Sequence, residues 1–153
     1  MTVVIRPVSQ ADIPALLRLV EEYWRFEDIS GFDPARVTVE LERLLAETTL
    51  GSAWIASAGR DAAGYLIAVY VFSLEHLGLT AEIDEFFVLP SFRGRETGSK
   101  LLRIAEEEFV RRRCTNVSLQ LGRGNEKARM FYRQHGYGER AGYELLDKML
   151  PRG

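Results

Sequence analysis

Three runs of β-forming residues follow one another in the middle of the chain with short connections between them. The first two, Ala53–Ala58 and Tyr65–Ser73, are separated only by Gly59–Gly64, which is too short for the helical crossover that parallel neighbours require. They therefore predict a hairpin. The third run, Ile83–Leu89, ends at Pro90 and extends the pair into an antiparallel meander. This meander limits the fold most strongly, because any helices must pack on its faces.

Elements before the meander are predicted from helix-start signals and periodicity. Val3–Ile5 reads as a short strand, and Ser9 followed by Asp12 is typical of a capping box that begins a first helix. Asp33-Pro34 has the composition of a second helix start. Both predicted helices carry apolar residues at helical spacing, which indicates one buried face on each.

After the meander the pattern changes to loop, helix and strand. The loop Arg93–Ser99 is followed by an apolar-faced helix and by a strand at Val117–Leu121. A further helix is predicted from Asn125 to its end at Gly136, and Tyr143–Leu150 is predicted to close the sheet. The chain has no repeat or linker, so we expect one domain over residues 1–153. Its predicted class is α/β (α+β), with a central mixed, mostly antiparallel sheet flanked by about four helices.

Composition excludes several classes of protein. The chain has 153 residues with a formal net charge of −2, which argues against a general nucleic-acid partner. No apolar run approaches the roughly 20 residues of a membrane helix, and Met1–Pro7 is no secretory signal, so we expect no membrane partner and a cytoplasmic location. A single cysteine and 2 histidines disfavour a metal site, and we expect none.

Charge is unevenly distributed along the chain. Residues 1–92 contain 6 Lys and Arg against 14 Asp and Glu, whereas residues 93–133 contain 11 against 5. Such a division suits a chain that handles one cationic and one anionic ligand, although it is also compatible with ordinary solvated surface.

The loop Arg93–Ser99 has the features of a phosphate site. Free N–H groups at a helix start and the helix dipole favour an anion there, and Arg93 and Arg95 add positive charge. The segment Gly94–Lys100 is one residue short of a nucleoside-triphosphate loop and has Ser before Lys. No dinucleotide fingerprint follows the first strand. On its own the loop indicates either a phosphate site or a basic turn.

Two segments together resemble the GNAT family of N-acetyltransferases. Phe87–Leu102 is similar to the acetyl-CoA-binding motif of that family, whose loop is usually written Q/R-x-x-G-x-G/A. Asn125–Tyr137 is similar to its N-x-x-A-x-x-F-Y-x-x-x-G-[FY] signature. A weaker likeness covers the rest of the chain. The resemblance implies a single GNAT domain and a transferase, an acyltransferase, with acetyl-CoA as cosubstrate and no metal.

The resemblance also implies which residues hold acetyl-CoA. The strand backbone at Phe87 and Val88 pairs with the pantetheine arm, Asn125 contacts the CoA arm, and the loop binds the pyrophosphate. The loop residues in this role are Arg93, Gly94, Arg95, Glu96, Thr97, Gly98 and Ser99. Asn125 and Tyr132 are about two helical turns apart and share a face. The resemblance gives Tyr132 the role of the general acid that protonates the leaving thiolate.

Two carboxylates before the motif are candidates for the base, because a lysine-like amine with a pKa of about 10.4 must lose a proton before it attacks. Asp84 and Glu85 are similar to the acidic pair of polyamine-type (spermidine/spermine) members, in which the position of Asp84 is a water-mediated base. The period of two places Glu82 and Asp84 on one face and Glu85 on the other. We expect Asp84 to be the base and Glu85 to be second. Alternatively these acids only attract a cation, or His76 is the base.

Glu96 departs from the family pattern, which has a glycine at this position. Its side chain fits if φ is negative, and its charge is expected to weaken CoA binding unless the carboxylate turns to solvent or meets Arg93 or Arg95.

The function that these residues predict is acetyl transfer from acetyl-CoA to a primary amine of a small cationic molecule, by direct attack in a ternary complex. Acceptor walls are expected in Tyr23–Phe32 and Glu75–Gly78, which lie in the acidic part of the chain. The alternatives are acetylation of a protein Lys or N-terminus, and a CoA-binding module without activity. A homodimer is compatible with the resemblance.

Overall fold

The computed structural model describes residues 2–152, and the chain forms two compact units, Met1–Gln120 and Leu121–Gly153. The first unit contains the sheet and three helices, and the second contains one helix. The strands are β1 (Val3–Pro7), β2 (Gly51–Ala58), β3 (Asp61–Ser73), β4 (Gly78–Val88) and β5 (Val117–Leu119). The helices are α1 (Ile13–Phe26), α2 (Pro34–Ala46), α3 (Thr97–Arg111) and α4 (Glu126–Gln134).

The sheet follows chain order, β1-β2-β3-β4-β5. All neighbours are antiparallel except β4 and β5, which run parallel and are connected through α3. The predicted mixed, mostly antiparallel sheet with four helices is confirmed. The first hairpin is tighter than predicted, because β3 already begins at Asp61 and only Gly59 and Arg60 form its turn. β4 likewise begins at Gly78, earlier than the predicted Ile83.

Helices α1 and α2 cover one face of the sheet. Leu16 and Val20 of α1 are almost inaccessible to solvent and belong to a core that also contains Ile55, Tyr65 and Phe87. Each large apolar side chain buried in this way contributes about 1.5–3 kcal/mol relative to an exposed one. This core fixes α1 against the strands that carry the predicted acidic residues.

Helix α3 is buried against the same sheet through an aromatic contact. The ring of Phe109 lies edge-on to the rings of Trp54, at 6.0 Å, and Tyr70, at 6.2 Å, between ring centroids. Since neighbouring strand residues point to opposite faces, Trp54 faces α3 whereas Ile55 belongs to the core under α1.

The predicted helix boundaries are confirmed where a capping side chain or a terminal glycine defines them. The Asp12 carboxylate accepts the N–H of Ser9, as a capping box requires. The Asp33 carboxylate accepts the N–H groups of Ala35 and Arg36 at the start of α2. Gly136 has a φ of 89° just after the end of α4, a conformation that suits glycine.

The pairing of β3 with β4 contains an extra residue. Ile67 pairs with Glu85 and Ala68 pairs with Ile83, so Asp84 has no direct partner on β3. Such a β-bulge changes the side-chain alternation beyond it.

On its other side β4 loses its neighbour at the same point. β5 pairs with Ala81–Ile83 of β4 and then ends, so β5 does not continue beside Phe87 and Val88.

The predicted closing strand at Tyr143–Leu150 is wrong. This segment has no strand hydrogen bonding and its side chains are exposed. Its alternation of apolar and polar residues breaks at Leu145-Leu146 and again at Asp147-Lys148, so no continuous apolar face exists to be buried on a sheet.

No helix within residues 2–152 has both the length and the apolar character that crossing a membrane requires.

Gly64 provides a test of the β3–β4 pairing. A Cβ at this position would lie 2.7 Å from the carbonyl oxygen of Phe87 and 3.1 Å from Cα of Val88. We expect Gly64→Ala to lower the free energy of unfolding by about 1–3 kcal/mol, because the two strands must separate to admit the methyl group. Gly138, whose Cβ would meet no atom within 4 Å, supplies the control Gly138→Ala. Urea unfolding measures both, and equal stability of the two variants would contradict the pairing.

Candidate active site

Glu85 of β4 lies partly buried between α1 and β3. Its Oε2 accepts a hydrogen bond from Nε1 of Trp24 at 2.8 Å, and its Oε1 accepts one from the hydroxyl of Tyr65 at 2.8 Å. Each carboxylate oxygen therefore has its own neutral donor, from a different element of the fold. These two bonds fix the orientation of the carboxylate.

Aromatic rings line the region around this carboxylate. The Tyr23 ring lies 6.3 Å from the Tyr65 ring and 5.7 Å from the Phe87 ring, between centroids. The Phe32 ring lies edge-on to Trp24 at 5.5 Å. The predicted acceptor wall Tyr23–Phe32 thus contributes the rings of Tyr23 and Phe32, which contact Tyr65 and Trp24, the two donors to Glu85.

Burial dominates the electrostatics of the acidic pair. It raises the pKa of Glu85, while the hydrogen bonds from Tyr65 and Trp24 oppose the shift and the nearby charge of Asp84 adds to it. The pKa of Asp84 is also raised, because protein atoms around its carboxyl group reduce hydration even though the residue reaches the surface. Burial, followed by the charge of Glu85, raises the pKa of Tyr65, so its hydroxyl stays a donor.

The bulge at Asp84 corrects the predicted faces of β4. Glu82 pairs with Val69, and Glu85 pairs with Ile67, which lies two residues before Val69 on β3. Since paired residues project to the same face, Glu82 shares its face with Glu85, contrary to the prediction that Glu85 points to the other face. The period of two fails here because Asp84 is the inserted residue.

His76, the alternative base, lies in the turn before β4, at the end of the strand remote from Glu85. Its carbonyl oxygen accepts the hydroxyl of Thr115 there. It does not share a site with Asp84.

The predicted phosphate loop connects the end of β4 to α3. A short 3₁₀ turn at Pro90–Phe92 is followed by Gly94 with a φ of 77° and Glu96 with a φ of 62°. Two left-handed residues therefore lead directly into the first residue of α3, Thr97.

Glu96 does not have the negative φ that would accommodate its side chain without strain. It is the N-cap residue of α3 in the left-handed conformation, and its carboxylate makes no capping hydrogen bond. The side chain is exposed and forms no ion pair with Arg93 or Arg95. Only the usual glycine of the resembled motif at this position indicates such a conformation.

The two loop arginines stack on aromatic rings. Nε of Arg93 donates to the carbonyl oxygen of Val88 at 2.8 Å, and its guanidinium lies 5.2 Å from the Phe26 ring centroid and 5.5 Å from that of Phe87. Arg95 lies 5.8 Å from the Phe92 ring centroid. Arg93 thus ties the loop to the C-terminal end of α1.

The start of α3 has unsatisfied donors that fit a diphosphate. Among residues 2–152 no protein acceptor bonds the N–H groups of Thr97, Gly98 or Ser99. The first helical hydrogen bond is donated by the N–H of Lys100 to the carbonyl oxygen of Glu96. Oγ1 of Thr97 is buried with no hydrogen-bond partner in the described chain. The residues present therefore fit an anion at this helix start.

Helix α4 of the second unit contains the other predicted site residues. Asn125 is its N-cap, and Oδ1 accepts the N–H of Ala128 at 3.2 Å. The Tyr132 ring contacts Phe131 at 5.4 Å and Tyr137 at 5.6 Å, between centroids. Asn125 thus has a local structural role, and Tyr132 lies in an aromatic cluster of its own unit.

Sequence reasoning missed the two donors to Glu85. The sequence places Trp24 only within the expected acceptor wall Tyr23–Phe32, and Tyr65 only at the start of a predicted strand. The only signal was chemical, since Trp and Tyr are the large apolar side chains that also carry a donor. Residues 2–152 contain no group of three or more His, Cys, Asp or Glu arranged to hold a metal ion.

Comparison with known proteins gives one family. The model of the Acetyltransferase (GNAT) family matches residues 14–137. An uncharacterized N-acetyltransferase of Archaeoglobus fulgidus is 32% identical over 130 residues, which are 84% of this chain and 88% of that protein. A thialysine N-epsilon-acetyltransferase of Bos taurus is 26% identical over 143 residues, which are 88% of this chain and 83% of that protein.

Solved structures agree on the fold. An aminoglycoside N-acetyltransferase, solved in complex with CoA, superposes with a TM-score of 0.84 at 18% identity, covering 97% of this chain and 96% of that one. At this identity the likeness shows the fold alone.

Glu96 generates a prediction about stability. We expect Glu96→Gly to raise the free energy of unfolding by about 1 kcal/mol, because glycine adopts the left-handed conformation without the Cβ clash. No capping bond is lost, since the carboxylate makes none. Glu96→Ala removes the same charge but keeps a Cβ at a φ of 62°, so it should give no comparable gain. Urea denaturation of the three proteins distinguishes backbone strain from charge, and equal gains in both variants would contradict strain.

Proposed function

Because the chain belongs to the GNAT family and is therefore an N-acetyltransferase, we propose that it transfers an acetyl group from acetyl-CoA to a primary amine of a small cationic molecule. The transfer occurs by direct attack within a ternary complex. Acetyl-CoA, when bound, supplies the thioester whose carbonyl carbon accepts the amine.

One observation carries this proposal. β4 continues past the end of β5 to Phe87 and Val88, and the chain then leads within a few residues to the unbonded N–H groups of Thr97, Gly98 and Ser99 at the start of α3. A strand that extends past its neighbour suits an extended amide-containing arm, and a helix start suits a diphosphate. The CoA-containing neighbour of the same fold supports the same ligand for this chain.

The resemblance to the GNAT family assigns the residues that would hold acetyl-CoA. The backbone at Phe87 and Val88 binds the pantetheine arm, and the loop from Arg93 to Ser99 binds the pyrophosphate. The side chain of Phe87 belongs to the core and contributes only through its backbone. The proposal assigns Asn125 to the CoA arm while its carboxamide caps α4.

The proposed proton transfer uses a general base and a general acid. Asp84 removes the proton of the incoming amine, because its carboxyl group reaches the surface and accepts no hydrogen bond from the described residues. Glu85 is the second candidate, although its oxygens already accept two donors. Tyr132 protonates the leaving thiolate, whose pKa by analogy with cysteine is about 8.5.

A thiol-release assay with a panel of amines tests the function. Free CoA thiol is measured with acetyl-CoA and polyamines, diamines, amino acids or lysine-containing peptides. Turnover with small cationic amines is the expected result. Turnover with peptides alone would instead indicate protein acetylation, and CoA binding without any turnover would indicate a binding module.

Asp84→Asn tests the base through pH. The wild-type rate should fall with decreasing pH as the carboxylate, whose pKa is raised, becomes protonated. The Asn variant lacks this base at every pH, so its loss of kcat should be largest, about 10²–10⁴-fold, between the raised pKa of Asp84 and neutral pH, where the wild-type carboxylate is ionised and the amine is still protonated. At more acidic pH the loss should shrink, because the wild-type carboxylate is then protonated too. The deficit should shrink as the pH approaches the pKa of the amine. A ratio of variant to wild-type rate that is flat across pH would exclude Asp84 as the base.

Glu96→Gly also tests the anion site. We expect the dissociation constant for acetyl-CoA to decrease by about threefold to tenfold, because a negative charge leaves the start of α3. Glu96→Gln is the matched variant that removes the charge and keeps the shape. Calorimetric titration measures both, and the gain should diminish at high salt. An unchanged or weaker affinity in both variants would show that the glutamate does not oppose the diphosphate.

A further inference from the structure

Phe26 is an exposed aromatic residue at the last position of α1. Its ring is 55% accessible to solvent, yet it lies 5.8 Å from the ring of Phe87, between centroids. The guanidinium of Arg93 lies 5.2 Å from the centroid of Phe26 and 5.5 Å from that of Phe87. The two rings therefore support one cation, which their quadrupoles attract.

The outer nitrogens of Arg93 remain available to an anion. Its Nε donates to the carbonyl oxygen of Val88 at 2.8 Å, whereas within residues 2–152 its Nη1 and Nη2 donate to no protein acceptor. Since a guanidinium is planar, one hydrogen bond and two ring contacts fix its plane. An arginine that is already fixed loses less conformational entropy when it binds a phosphate.

Arg95, the other arginine of the loop, has fewer contacts. Its guanidinium lies 5.8 Å from the centroid of Phe92, and it donates no hydrogen bond to the described part of the chain. Phe92 belongs to the 3₁₀ turn at the start of the same loop. Of the two arginines, Arg93 is therefore the one that connects the loop to a helix outside it.

The contact with Phe26 connects the loop to the expected acceptor wall, because Phe26 lies within Tyr23–Phe32. The last turn of α1 is closed by a hydrogen bond from the N–H of Glu27 to the carbonyl oxygen of Tyr23, at 2.9 Å. Helix ends open easily, since their terminal carbonyl groups lack helical partners. An anion that immobilises Arg93 therefore also restrains this turn, through the ring of Phe26.

We propose that Phe26 positions Arg93 for the diphosphate of CoA, and that this contact couples diphosphate binding to the order of the last turn of α1. Phe26 is a positioning residue, because it acts on the ligand through Arg93. This inference rests on the proposed function, which assigns the diphosphate to the loop. Coupling is reciprocal, so CoA and an acceptor that orders the same turn should each raise the affinity for the other by one common factor.

Phe26→Leu tests the positioning role, because it keeps an apolar side chain and removes the ring. The dissociation constant for CoA, measured by calorimetry, should rise by about twofold to tenfold, as expected when one free arginine side chain must be ordered on binding. KM for acetyl-CoA should rise alike, with kcat almost unchanged. Phe26→Tyr keeps a ring at a position that is more than half exposed, and it should bind CoA like the wild type. Circular dichroism confirms that each variant is folded.

Arg93→Gln tests whether Phe26 acts through the arginine. This variant has no cation for the ring to hold, so adding Phe26→Leu to it should weaken CoA binding no further. If Phe26→Leu raises the dissociation constant by the same factor with and without Arg93, the two residues act independently and the inference is overturned.

Amide hydrogen exchange measures the coupling without any turnover. Saturating CoA should slow exchange in residues 23–27 of the wild type and of Phe26→Tyr, but not of Phe26→Leu. Phe92→Leu is the matched control, because it removes the ring beside Arg95 and leaves α1 untouched, so it should keep the wild-type slowing. Inorganic pyrophosphate should slow the same amides, whereas pantetheine, which lacks phosphate, should not. Exchange in α2 is the internal reference.

The outcomes distinguish the two proposals. CoA-dependent slowing that requires the Phe26 ring, without thiol release for any amine, would support this inference and overturn the proposed acetyl transfer. Turnover of amines together with equal CoA affinity, or equal slowing, in the wild type and Phe26→Leu would overturn this inference and leave the function intact. No binding at millimolar CoA would overturn both.

Discussion

The arrangement of the site depends on a discontinuity in β4 at Asp84. On one side Asp84 is an extra residue that β3 does not pair, and on the other side β5 stops pairing one residue earlier, at Ile83. The bulge turns Glu85 onto the face of α1, where Trp24 and Tyr65 hold it. Past this point β4 continues to Val88 without β5. The bulge thus accounts for the position of the fixed carboxylate.

The loop proposed to bind the diphosphate contains backbone strain. Gly94 and Glu96 both have positive φ, and they turn the chain so that α3 begins with unbonded N–H groups and with a buried Thr97 hydroxyl that has no partner in the described chain. Glycine adopts this conformation at little cost, whereas a glutamate there costs free energy. The chain maintains this strained residue without a compensating cap or ion pair from Glu96.

The sequence predicted what local chemistry determines. The caps at Asp12 and Asp33, the end of α4 before Gly136, the meander and the family all followed from patterns within a few residues. Features that depend on register did not follow, because a bulge at Asp84 leaves no mark on the alternation of β4 itself. The closing strand at Tyr143–Leu150 was wrong because its composition suggested a strand although its alternation fails. The hydrogen bonds of Trp24 and Tyr65 to Glu85 join residues 61 and 20 positions apart, which no local pattern could reveal.

The direct test of this account is to record amide chemical shifts of ¹⁵N-labelled protein during titration with CoA. Two groups of amides should respond saturably and more than the rest of the sheet: those of Thr97, Gly98 and Ser99, and those of Phe87 and Val88 at the end of β4. If binding saturates while these amides stay unshifted, or if no amide responds at millimolar CoA, the proposed use of the end of β4 and of the start of α3 is contradicted.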